Sequence, residues 1–187
     1  MSKLGIRRAD FSHGLVHLTK ERGTVKPFEV LKEILKSGEL RGSGHEGYVK
    51  GNRKAVCLSE IPLSSVHQFA GKPDVKNDVR YRFYGLALSK KAVFDAGGRP
   101  VIYLPDGEAD WLPDDQKWRH VRFEHPDVDW TFEREWRVPE KLSLRDVPGI
   151  YILVWGATEA KEILNFDTPL KDKIRGVLPM EHLTTFL

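Results

Sequence analysis

Cysteine is close to absent: Cys57 is the single one in 187 residues. That excludes an internal disulfide and a thiolate cage for zinc. Long apolar runs are missing too, and none approaches the roughly 20 residues that a membrane-spanning helix needs. The opening Met1-Ser2-Lys3-Leu4-Gly5-Ile6-Arg7-Arg8 holds no apolar stretch that would act as a secretion signal. A cytoplasmic location and no membrane partner are therefore expected. Charge of one sign is not in large excess, because 30 basic residues face 27 acidic ones for a net charge of +3. The basic clusters Arg7-Arg8 and Lys50, Arg53, Lys54 read as solvated surface, while leaving room for a small patch that attracts a polyanion.

Two kinds of motif are absent as well. No Gly-rich phosphate loop follows a strand, since Gly97-Gly98 has neither the spacing nor the context, and the Rossmann and P-loop folds are excluded. None of the seven His shows i, i+4 pairing beside an acid, so no catalytic metal is expected. No repeat or low-complexity linker divides the chain. Five Trp and nine Phe supply a core, and one domain over residues 1–187 is the expectation.

What is present is a series of short strands with few helices between them. Gly14 to Thr19 alternates, with Leu15, His17 and Thr19 on one side and Val16 and Leu18 on the other. Pro27 suits the first turn of a helix whose stripe is Phe28, Leu31, Ile34 and Leu35, and Gly38 suits its left-handed end. Residues 40–53 read as a loop. Ala55 to Ser59 is a second strand, which Pro62 ends for want of an amide. Further strands are expected at Tyr81 to Leu88, Pro100 to Leu104, Thr131 to Val138, Gly149 to Trp155 and Ile174 to Leu178. Short helices are expected after Ser89, through Phe94, and over Thr158 to Leu164. Pro105 to Pro126 fits no element. The irregular order implies an α+β fold with a mostly antiparallel sheet.

Chemistry concentrates in Phe132-Glu133-Arg134-Glu135-Trp136-Arg137. As a strand, this run puts Glu133, Glu135 and Arg137 on one face and Phe132, Trp136 and Val138 on the core face. Two carboxylates so close repel each other unless Arg137 or a ligand intervenes. Such a pair can hold a ribose hydroxyl and stabilise a developing positive charge. The same pattern also fits an exposed strand whose charges keep its surface soluble. His17 offers a hydrogen bond to a ligand, or else one to a backbone carbonyl. Cys57 reads as a small core residue. Gly85, beside Tyr84, marks a bulge, a ligand's close approach or a packing constraint.

The order of these segments carries a resemblance. Leu15-Val16-His17-Leu18-Thr19, followed by a helix ending Ile34-Leu35-Lys36-Ser37-Gly38-Glu39-Leu40, resembles the opening of bacterial ADP-ribosyltransferase-like proteins and toxins. Val56 to Leu63, Tyr84 to Lys90, Gly98 to Tyr103 and Glu133 to Arg137 look similar to the abortive-infection (AbiGi-type) phage-resistance family. The likeness covers roughly two thirds of the chain through short motifs. It implies a bent or split mixed sheet with NAD, as substrate, held in a cleft. Glu135 would match the catalytic glutamate and Glu133 the acid that positions the acceptor. His17, on the strand with Thr19, would orient the ribose, and Tyr84 or Tyr103 would stack on the nicotinamide. Arg137 would hold the acidic pair. The implied activity is mono-ADP-ribosyl transfer to a nucleic acid or protein in phage defence or growth arrest, with a neutralising partner possible. The alternative is a non-catalytic nucleotide- or protein-binding module on the same fold.

Overall fold

The computed structural model describes residues 12–45, 48–68, 70 and 82–181. Arg7, Arg8 and Tyr81 lie outside them. Among the described residues eleven strands are formed: β1 (Gly14–Leu18), β2 (Glu39–Arg41), β3 (Ala55–Ser59), β4 (Gly85–Ser89), β5 (Arg99–Pro100), β6 (Ile102–Leu104), β7 (His120–Arg122), β8 (Glu135–Pro139), β9 (Lys141–Ser143), β10 (Ile150–Val154) and β11 (Ile174–Pro179). Three α-helices accompany them in the described residues: α1 (Pro27–Ser37), α2 (Lys90–Asp95) and α3 (Ala157–Leu164). The fold is α+β. Seven strands form the main sheet in the order β11-β10-β4-β1-β3-β8-β5. All neighbours in it are antiparallel except β10 and β11, which run parallel. No helix of the described residues is long and apolar enough to cross a membrane.

The helices form where the sequence signals them. Pro27 begins α1, and Gly38 ends it at φ 73, its amide donating to the Ile34 carbonyl at 2.9 Å. Side chains of Val30, Leu31 and Leu35 are buried, as a stripe at helical spacing requires. Ser89 precedes α2 and accepts from the Ala92 amide at 3.5 Å. The Glu159 carboxylate accepts from the Gly156 amide at 3.1 Å and closes the first turn of α3.

Alternation then sorts the sheet into two faces. Leu15, Leu58, Leu86, Leu88, Val138, Ile150 and Ile152 are buried on one face with Leu31, Leu35, Val93 and Ile163 of the three helices. Val16, Ala87, Leu153, Val66 and Met180 form a smaller cluster on the other. β1 and β4 approach so closely that a Cβ on Gly85 would stand 2.0 Å from the His17 carbonyl oxygen. Of the three meanings open for Gly85, the packing constraint is the one observed.

Several expected elements change. β4 starts at Gly85, with Arg82 to Tyr84 outside the ladder. The strand expected over Pro100 to Leu104 divides at buried Val101 into β5, in the main sheet, and β6, which pairs in parallel with β7. Residues 105–126 thereby acquire structure: two 3-10 turns, Asp106–Glu108 and Asp114–Arg119, then β7. Residues 40–53 contribute the end of β2, which pairs with β9. The expected strand from Thr131 starts only at Glu135. Thr131–Glu133 is a 3-10 turn, and Arg134 takes a left-handed conformation at φ 44. Phe132, expected in the core, is consequently 52% exposed.

Candidate functional site

Register decides which candidate residues meet. Val16 pairs with Ser59, and Ser59 pairs with Glu135. Directly opposed residues project to the same side, so Val16, Ser59 and Glu135 share a face. Cys57 and Arg137, also paired, lie on that face. His17 alternates to the opposite one, paired with the core residue Leu86. The tertiary structure thus brings Glu133, Glu135, Arg137 and Tyr103 together and leaves His17, Thr19 and Tyr84 across the sheet.

His17 has a local partner. β1 and β3 meet through a single residue pair, Val16 with Ser59. Beyond it the imidazole Nδ1–H donates to the Cys57 carbonyl at 2.9 Å. Burial holds the His17 pKa below the ordinary histidine value, against the raising effect of that bond. The neutral ring links the two halves of the sheet. Thr19 Oγ1 lies 3.0 Å from the Pro27 carbonyl and 3.1 Å from that of Tyr84, so its one hydroxyl hydrogen is shared between two backbone acceptors. Tyr84 packs on Phe28, with ring centroids 5.4 Å apart, and donates to the Glu159 carboxylate at 3.1 Å. Burial, with the Glu159 charge, pushes its hydroxyl up to about 12.

On the other face Arg137, 2% exposed, spends every donor. Nε and Nη2 reach the two oxygens of Glu135 at 2.8 and 3.3 Å. Nη1 donates to the carbonyls of Trp118 at 2.7 Å and His120 at 3.3 Å, and Nη2 also to that of Tyr48 at 3.5 Å. Burial is the largest single influence and opposes the charge of Arg137, but Glu135 and Cys57 together outweigh it and hold the pKa above the ordinary arginine value. The guanidinium therefore ties the strand to two excursions, around Tyr48 and around Trp118 to His120. Glu135 is 8% exposed, and its amide donates to Tyr103 Oη at 3.1 Å. Tyr103 in turn donates to the Trp130 carbonyl at 3.3 Å. Burial pushes its hydroxyl up to about 12. Glu133, 5% exposed, accepts at its carbonyl from Ser59 Oγ. Its charge acts on Cys57 and Tyr103. The Cys57 thiol is raised far above its ordinary value, by burial first and by the Glu135 charge second.

An open cleft lies on the same face, two strands away. It measures about 510 Å³, with Val16, Ala87 and Leu63 among its apolar lining. Ser12, His13, Ser89, Tyr151 and Arg175 supply its polar groups. Tyr151 is 47% exposed, and Arg175 Nη2 donates to the Pro148 carbonyl at 2.8 Å beside it. No carboxylate lines the cleft among the described residues. Sequence reasoning missed this site because its residues come from the ends of β1, β4, β10 and β11, and no local pattern links them. Among the described residues no three His, Cys, Asp or Glu converge to hold a metal ion. Compared with known proteins, the chain matches no family model, no curated protein and no solved structure.

Proposed function

We propose that the chain binds a nucleotide-like anionic ligand in the cleft over Val16 and Ala87. The observation that carries this reading is the cleft's makeup: an apolar lining, an exposed phenol ring and the Arg175 guanidinium, with no carboxylate in the lining among the described residues. A concave, mostly apolar site with a few convergent polar groups is the usual form of a small-molecule site. Arg175 would meet a phosphate and Tyr151 a base or ribose. The test is equilibrium binding of AMP, ADP-ribose and NAD. Saturable binding that Arg175→Ala and Tyr151→Ala each weaken about tenfold, roughly 1.4 kcal/mol, supports the reading. Equal affinity in wild type and both variants discards it.

A second reading, mono-ADP-ribosyl transfer from NAD, rests on the row Ala87, Val16, Ser59, Glu135. The carboxylate lies on the face of the cleft and about 10 Å from its floor by strand spacing. Glu135 would stabilise the oxocarbenium ion as nicotinamide leaves, after exchanging Arg137 for substrate, and Glu133 would position a nucleic-acid or protein acceptor. His17, Thr19 and Tyr84 have no part in this version. The role it would serve is phage defence or growth arrest, as the resemblance implies. Nicotinamide release from NAD by the wild type, lost in Glu135→Gln, is the expected result. Undiminished release in that variant would remove Glu135 from the chemistry.

A further inference from the structure

β5 ends the main sheet, and a charged feature that neither reading uses sits on its outer edge. The Pro100 carbonyl there is covered by Arg119, whose Nε and Nη2 both donate to it at 3.2 Å. Arg99, next in the chain, donates from Nη1 to the carbonyls of Phe94 at 3.0 Å and Gly98 at 2.7 Å. Its guanidinium carbon lies 4.0 Å from the centroid of the Phe94 ring. That ring is 48% exposed.

The backbone bonds fix both guanidiniums and use only part of their donors. Arg99 Nε and Nη2 and Arg119 Nη1 make no hydrogen bond, and neither arginine an ion pair, among the described residues. Two like charges held together without a counter-ion repel. Burial, and then the Arg99 charge, lower the Arg119 pKa from its ordinary value. An anion with several oxygens relieves that repulsion, and the planar forks of arginine match a phosphate. Phe94 narrows the class. Single-stranded nucleic acid offers a phosphate and an open base face side by side, and bases stack on exposed aromatic rings. A duplex hides those faces, and a phosphopeptide leaves the ring unused.

We propose that Arg99, Arg119 and Phe94 form a contact site for single-stranded nucleic acid at the β5 edge of the sheet. The site is separate from the cleft, and nucleotide binding there stands or falls independently.

The test is fluorescence anisotropy with labelled single strands of DNA and RNA of about 12 nucleotides. The double variant Arg99→Ala, Arg119→Ala is expected to weaken binding about tenfold or more. Its salt dependence should flatten by roughly 1.4 in log–log slope, the share of two phosphates on a single strand. Phe94→Ala should weaken binding several-fold. Lys20→Ala with Lys171→Ala removes equal charge elsewhere and should leave affinity within about twofold. Equal loss in that control reduces the effect to net charge and overturns the proposal. So does equal competition by a phosphopeptide of matched charge. Because Arg99 also closes two backbone carbonyls, the wild-type protein supplies an independent measurement. Its Arg99 and Arg119 Nε–H resonances should shift as the oligonucleotide is added, and unmoved resonances overturn the proposal.

Discussion

Two regions on one face of the sheet, about two strands apart, treat charge in opposite ways. Around Glu135 the ion pair is buried and matched: one guanidinium serves a carboxylate and three carbonyls. Around the cleft, Arg175 stands at an open wall with no carboxylate in the lining among the described residues. The first arrangement holds the chain together, because removing either partner strands the other in a place water does not reach. The second leaves binding capacity in hand. Buried charge therefore marks architecture as readily as chemistry, and Glu135 must give up Arg137 before it can act on a ligand.

The largest effect is expected at Arg137. Arg137→Met leaves a buried carboxylate and three carbonyls without their donor, and should cost about 3–5 kcal/mol of stability in urea denaturation. A loss below about 1 kcal/mol would mean the clamp is not structural, and would erase the contrast with the cleft.

An intermediate effect is expected from pH. Cys57 and Tyr103 are both raised in the folded state, from ordinary values of 9.0 and 10.0. A raised acid stays protonated longer in the fold than in the unfolded chain. Its contribution is complete below the unfolded value and is lost as pH rises above it. Stability should thus fall above about pH 9, by up to about 1.4 kcal/mol per pH unit for each group. Cys57→Ala should make that alkaline limb shallower, as followed by thermal melts across pH. His17 is shifted the other way, and its share is present above the ordinary 6.5 and lost as pH falls below it. An alkaline limb identical in Cys57→Ala would remove the thiol from the buried network.

The smallest stability effect belongs to the cleft. Arg175→Ala should change stability by no more than about 0.5 kcal/mol, while reducing affinity for the nucleotide probe. A large loss of stability would make Arg175 a structural residue like Arg137 and merge the two regions into one kind.

Much of the fold was legible in short-range signals. Pro27 and Gly38 bracket α1 because each answers a backbone requirement of a helix end, and neither depends on distant contacts. β1, β3 and β10 follow from alternation or from continuous apolar runs. The Glu133 strand failed for a local reason that alternation cannot reveal. Arg134 takes a positive φ, so Glu133 and Phe132 leave the ladder although their spacing still fits it. β2 and β9 were missed because three residues are too few to display a period. The sequence put Glu133, Glu135 and Arg137 on one strand face; Glu135 and Arg137 do pair, while Glu133 lies in the turn before the strand. Their burial was not foreseen, because the covering residues Trp118, His120 and Tyr48 lie in segments with no pattern of their own.

By itself the sequence determined the α+β class and the mostly antiparallel sheet, and put Glu135 and Arg137 two residues apart on one strand face. These rest on periods of 2 and 3.6 residues and on the special backbones of Pro and Gly, all local quantities. Tertiary structure alone decided that His17 faces away from Glu135. The faces of separate strands are related only through the Val16 to Ser59 register, a contact 43 residues apart in the chain. It also decided that four strand ends enclose a cleft, and that Arg99 and Arg119 share one edge. Such meetings depend on how the strands are ordered in space, which no local period encodes.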